Sequence, residues 1–161
     1  MHCWIDIADE DQATLATSAF EVVDPGLFEH VISFGNIEDV VMDDGTKSFD
    51  FVRSGNLVSA KIRSGRDYVK IMKKYVMHLG KNVYNEDGPE RNAFRKACTQ
   101  IFGPHGFVKY IQSNFDEFDF YHVDERLEAM SGEAMIVPLQ WVDGSKPTFH
   151  IFEFGVKETK M

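Results

Sequence analysis

The stretch "RDYVKIMKKYVMHLGKNVYNE", residues 66–86, constrains the chain more than any other. Tyr68, Met72, Tyr75, Val76, Leu79 and Val83 recur at helical spacing. Lys70, Lys73, Lys74 and Lys81 share an arc of about 100° on the opposite side of the same wheel. The spacing predicts a helix with one core face and one lysine face. Such a helix is stable only when its apolar stripe is covered by a second layer, so the rest of the chain must supply that layer.

A second arm follows. "NEDGPER" reads as a loop and a new helix start, with Pro89 at the first turn and Glu90 near the positive end of the helix dipole. Phe94, Ala97, Cys98, Ile101 and Phe102 continue at helical spacing, and Phe107, Tyr110 and Ile111 resume it. Between them "GPHG" at 103–106 opposes a continuous helix. The expectation is a basic helical hairpin over about 66–115 whose second arm breaks near Gly103–Gly106.

The flanks read as β. "CWIDI" at 3–7 and "FEVV" at 20–23 are short strands, with "DPG" as a turn. "LFEHVISF" is compatible with a strand or a helical turn, "EDVVMDDG" reads as an acidic loop, and "SFDFV" at 48–52 reads as strand. After Asn114 the period becomes two, with Phe118, Phe120 and His122 on one side and Asp119, Tyr121 and Val123 on the other. "AMIVPLQWV" at 134–142 is a further strand, which Pro138 assigns to an edge or a bulge. "DGSK" turns into a last strand, "PTFHIFEFGV". The order gives an α+β fold, one domain over 1–161, with the hairpin inserted between sheet strands.

A chain of 161 residues, 43% apolar and 13% aromatic, can build one core without staples and is not of disordered composition. No apolar run reaches the ~18 residues that cross a membrane. The start is acidic and lacks a signal-peptide layout, and Cys3 and Cys98 are the only cysteines. A reducing cytoplasm and a monomer are expected. The net charge of −9 is uneven. Residues 1–60 carry 12 acids against 2 bases, 61–115 carry 4 against 11, and 116–161 carry 10 against 4.

Sites of chemistry are sparse. "SNFDEFDFYHVDE", 113–125, mixes carboxylates with aromatics, but Asp116 and Glu117 belong to a turn and Asp119 to the wet side of a strand. Solvated acids of that kind lack the burial or pairing that tunes a catalytic carboxyl. "VMDDGTKSFD" does not supply a high-affinity calcium loop. His2, His30, His78, His105, His122 and His150 are scattered, Cys98 lies at a core position, and phosphate-binding or nucleophile-elbow motifs do not occur. No catalytic residue, no zinc site and no required cofactor are expected. The lysine face, with Arg91 and Arg95, suits an acidic protein better than nucleic acid, because an acidic chain is repelled by phosphate.

"YVKIMKKYVMHLGKNV", "NEDGPERNAFRKA" and "VKYIQSNFDEFDFY", with the ending "WVDGSKPTFHIFEFGVKETKM", resemble the translationally controlled tumour protein (TCTP) family in order and spacing from about residue 48 onward. His122–Val123–Asp124 stands where the family has a small x-G-E triplet, "FGPHG" interrupts its second helix, and its acidic loop is cut to "VVMDDGTK". This is the pattern of a divergent or shortened member. The resemblance implies a β-tent similar to the chaperones of nucleotide-free Rab GTPases, and a non-enzymatic cytoplasmic growth regulator. It implies association with a Ras-type small GTPase at Glu10, Asp11 and Gln12, and with tubulin at Lys70, Lys73, Lys74 and Lys81. Weak calcium binding is implied near Asn36, Glu38, Asp39, Asp124 and Glu133. Two other classes stay open: a metal-dependent enzyme or metal sensor on the same fold, and a client-binding chaperone that uses exposed apolar surface.

Overall fold

The structure, a computed structural model, describes residues 2–6, 14–17, 21–23, 28–35, 37–55, 57–122, 131–141 and 147–160. Its first half runs β1 (His2–Asp6), β2 (Thr14–Thr17), β3 (Glu21–Val22), β4 (Val31–Gly35), β5 (Asp39–Val41), β6 (Lys47–Phe49), α1 (Asp50–Gly55) and β7 (Val58–Ser59). The hairpin follows as α2 (Gly65–Asn82), α3 (Pro89–Ile101) and α4 (Phe107–Ser113). The chain closes with β8 (Phe118–His122), β9 (Ile136–Gln140), β10 (Thr148–Phe152) and β11 (Val156–Lys160).

The strands form a six-stranded sheet in the order β3-β4-β10-β9-β8-β7, a three-stranded sheet β11-β1-β2 and the β5-β6 pair, all antiparallel. The hairpin leaves the large sheet after β7 and returns at β8, and those two strands pair with each other. The helices are therefore an insertion between neighbouring strands. Both faces of the large sheet are covered. On the hairpin side, Tyr68 of α2 meets Phe120 with ring centroids 5.3 Å apart, and Phe107 of α4 meets His150 at 5.4 Å. On the other side, Phe51 of α1 stacks on Phe149 at 4.3 Å and also touches Phe34. This explains why every residue of β9 is buried, whereas β8 alternates: Phe118, Phe120 and His122 are inside and Asp119 is exposed.

The break in the second arm falls where Pro104 and its glycines stand. α3 ends at Ile101, and α4 restarts at Phe107. Gly106 turns so close under α3 that a Cβ there would stand 2.3 Å from the carbonyl oxygens of both Gln100 and Ile101. Only glycine fits that approach.

Four local expectations are corrected. "PTFHIFEFGV" is not one strand: β10 ends at Phe152, a 3-10 turn (Glu153–Gly155) intervenes, and β11 from Val156 pairs with β1 in the three-stranded sheet. "SFDFV" is not one strand: β6 stops at Phe49, and α1 begins at Asp50. The Asp50 carboxylate, in the first turn where the helix dipole favours a negative charge, accepts from the backbone N–H of Phe51 at 2.8 Å and of Glu38 at 3.2 Å, and the docking of Phe51 holds the helix. The acidic loop reading gives way to the β5-β6 hairpin, in register from Asp39↔Phe49 to Val41↔Lys47. Pro138 lies in β9, an interior strand, rather than at an edge. Its missing N–H does no harm there, because the β9–β10 pairing spans only Leu139 and Gln140 and has ended before Pro138.

Candidate functional site

Helix α2 is built to present cations. Ser64 caps it, its hydroxyl accepting from the Asp67 N–H at 3.2 Å, and Lys81 sits in the last turn, where the helix dipole favours a positive charge. Tyr68, Ile71, Met72, Tyr75 and Leu79 are buried. Lys70, Lys73, Lys74 and Lys81 are all exposed. Gly65 sets the first turn directly on α4: a Cβ there would lie 2.9 Å from the Gln112 carbonyl oxygen. The predicted division into core face and lysine face is the observed one, except that Val76 and Val83 are half-buried and Ile71 joins the core.

Beside this face runs a groove of about 700 Å³ between α2 and the broken second arm. Val69, Val76 and Met77 line it from α2, Cys98 and Phe102 from α3 and its end, and Val108 from α4. Lys73 and Lys109 flank it, and no carboxylate lines it. Met77 is 73% exposed, the most exposed large apolar side chain among the described residues. Cys98 is half-buried, and burial pushes its thiol up to about 11, so it is a weak nucleophile at neutral pH.

The remaining sequence candidates divide by location. Glu10, Asp11, Gln12, Asn36 and Asp124 lie outside the described residues. Glu38, Asp39 and Glu133 are exposed, and no three His, Cys, Asp or Glu side chains among the described residues are grouped to hold a metal ion. In the acid–aromatic run, Asp116 and Glu117 are exposed in a 3-10 turn (Phe115–Glu117). Asp119 is exposed on β8, where its carboxylate accepts from the Trp141 indole N–H at 2.8 Å. As far as His122, that run is a 3-10 turn leading into a strand with one wet face, and residues 123–125 lie outside the described residues.

Two histidine networks escape any local reading of the sequence. His150 is fully buried among Phe28, Phe107 and Phe118. The Ser33 hydroxyl donates to its Nδ1 at 2.7 Å, and its Nε2–H donates to the Gln140 Oε1 at 3.1 Å. Gln140 in turn reaches the Tyr110 hydroxyl at 2.7 Å and a Glu117 oxygen at 3.4 Å. These roles suit the neutral imidazole, and desolvation lowers its pKa to about 4. Ser33 and His150 have the geometry of nucleophile and base, but both are buried and neither lines the hairpin groove. His30 behaves in the opposite sense. It links Gln100 at the end of α3 to Glu153 (2.8 Å to Nδ1) after β10. Desolvation pulls its pKa down, yet the hydrogen bonds to Glu153 and Gln100, with the charges of Glu153 and Glu29, outweigh it and raise the value.

Comparison with known proteins agrees with this architecture. A family model described as "Translationally controlled tumour protein" matches residues 17–157. No curated protein sequence matches the chain. Among solved structures, the translationally controlled tumor-associated protein p23fyp of Schizosaccharomyces pombe superposes with a TM-score of 0.70 at 21% identity, covering 100% of both chains. The translationally-controlled tumor protein of Caenorhabditis elegans gives 0.62 at 20% identity, covering 100% of this chain and 99% of the other.

Proposed function

The chain belongs to the translationally controlled tumour protein family, and from that premise we propose that it is a non-enzymatic, cytoplasmic regulatory protein that captures acidic protein surfaces with its helical hairpin. Tubulin is the proposed partner. The observation that carries the reading is the row Lys70, Lys73, Lys74 and Lys81, all exposed along α2 opposite a fully buried stripe. Capture by such a row is electrostatic, so it weakens as salt shortens the Debye length. No helix among the described residues is long and apolar enough to cross a membrane.

Contact with a Ras-type small GTPase at Glu10, Asp11 and Gln12 is proposed on the family resemblance. Weak calcium binding around Asn36, Glu38, Asp39, Asp124 and Glu133 rests on the same ground. The described members of that calcium set, Glu38, Asp39 and Glu133, form no three-ligand group among the described residues.

The test is co-sedimentation with polymerised tubulin of the wild type and of a variant with Lys70, Lys73, Lys74 and Lys81 all changed to Glu. Binding lost in the variant, with the circular dichroism unchanged, is the expected result. Unaltered binding would sink the proposal.

A further inference from the structure

We infer that the groove between α2 and the broken second arm is a docking site for an acidic amphipathic helix of a partner protein. The inference rests on the reading of the hairpin as a protein-binding surface and assigns it a second, apolar element distinct from the outer lysines.

The walls specify the occupant. Val69 and Phe102 are half-buried and Met77 is exposed, so a continuous apolar floor meets water. Methionine at the mouth of a groove adapts to varied apolar side chains. The rim is cationic: Lys73 stands on one wall and Lys109 on the other, with no carboxylate among the lining residues. Exposed Arg95 extends the same sign, because it lies one turn before the lining residues Cys98 and Thr99 on α3. An apolar stripe with acidic flanks is the complement of that pattern.

The occupant's conformation follows from its backbone. The walls are helices and present no strand edge. A segment laid in the groove must therefore satisfy its own N–H and C=O groups, and a helix does so. The volume of about 700 Å³ accommodates several side chains rather than one.

The probe is a fluorescent synthetic peptide of roughly 18 residues, about five helical turns, with Leu on one face and Glu elsewhere. Its control is a scrambled peptide of the same composition, read by anisotropy. The amphipathic peptide is expected to bind about tenfold or more tighter than the scramble. Met77→Glu, at a side chain already exposed, is expected to cost about tenfold or more, as is the pair Lys73→Glu and Lys109→Glu. Lys70→Glu with Lys81→Glu, on the outer face, is expected to change peptide affinity less than about twofold while weakening tubulin co-sedimentation.

Equal binding of the two peptides, or binding indifferent to Met77→Glu, overturns the inference. So does a self-association of the protein alone that Met77→Glu abolishes, since that gives the groove to a second copy of the chain. If tubulin binds through the outer lysines and the amphipathic peptide does not bind, the groove inference alone falls. If neither binds, both readings fall.

Discussion

Acid should destabilise this fold through one buried imidazole. His150 is held near pKa 4 in the folded chain, against 6.5 for the free group. Between those values the unfolded chain binds a proton that the folded chain refuses, so stability falls as pH drops through 6.5 and levels off below about 4. At about 1.4 kcal/mol per pH unit, the full span is worth about 3 kcal/mol. About 2 kcal/mol of this falls between pH 7 and pH 5. His30 carries the opposite sign: its raised pKa adds stability that is complete below 6.5 and is lost as pH rises through the folded value. The two effects are separated by comparing the wild type with His150→Gln, which keeps His30. Urea unfolding at pH 7 and pH 5 should show the gap between the two proteins narrowing by about 2 kcal/mol at the lower pH. The ring Cε1 resonance of His150 should titrate near 4. A constant gap, or a ring that titrates near 6.5, would refute the reasoning.

Two further outcomes follow from packing and burial. Gly106→Ala places a methyl group 2.3 Å from two backbone carbonyls of α3. It should destabilise by about 3 kcal/mol or more, read by thermal unfolding, because backbone cannot yield as a side chain can. Cys98, its thiol pushed up to about 11, should be alkylated by iodoacetamide at pH 7.5 at least about tenfold more slowly than an unstructured cysteine peptide, by mass spectrometry.

The parts of this molecule that were legible in its sequence are those whose period is local. The α2 stripe repeats over five turns, β8 alternates, and Gly106 marks its own break, so each element announces itself within a window of residues. α1 did not, because six residues carry too little period, and its helical state depends on Phe51 docking between Phe34 and Phe149. Pro138 misled because strand order is global, whereas the rule about proline concerns one N–H. The Ser33–His150 pair joins residues 117 positions apart and carries no signal short of the sheet register that aligns them. In the candidate site, the lysines were visible as a face. The groove was not, since its walls come from three helices whose mutual placement only the fold decides.

The central claim is that the hairpin's lysine face meets an acidic partner, and amide NMR of labelled protein titrated with tubulin dimers tests it most directly. Binding should broaden the amides of residues 70–81 selectively, leave β4 and β10 sharp, and reverse when salt is raised. Broadening confined to the sheets, or no broadening at any ratio, would contradict the account.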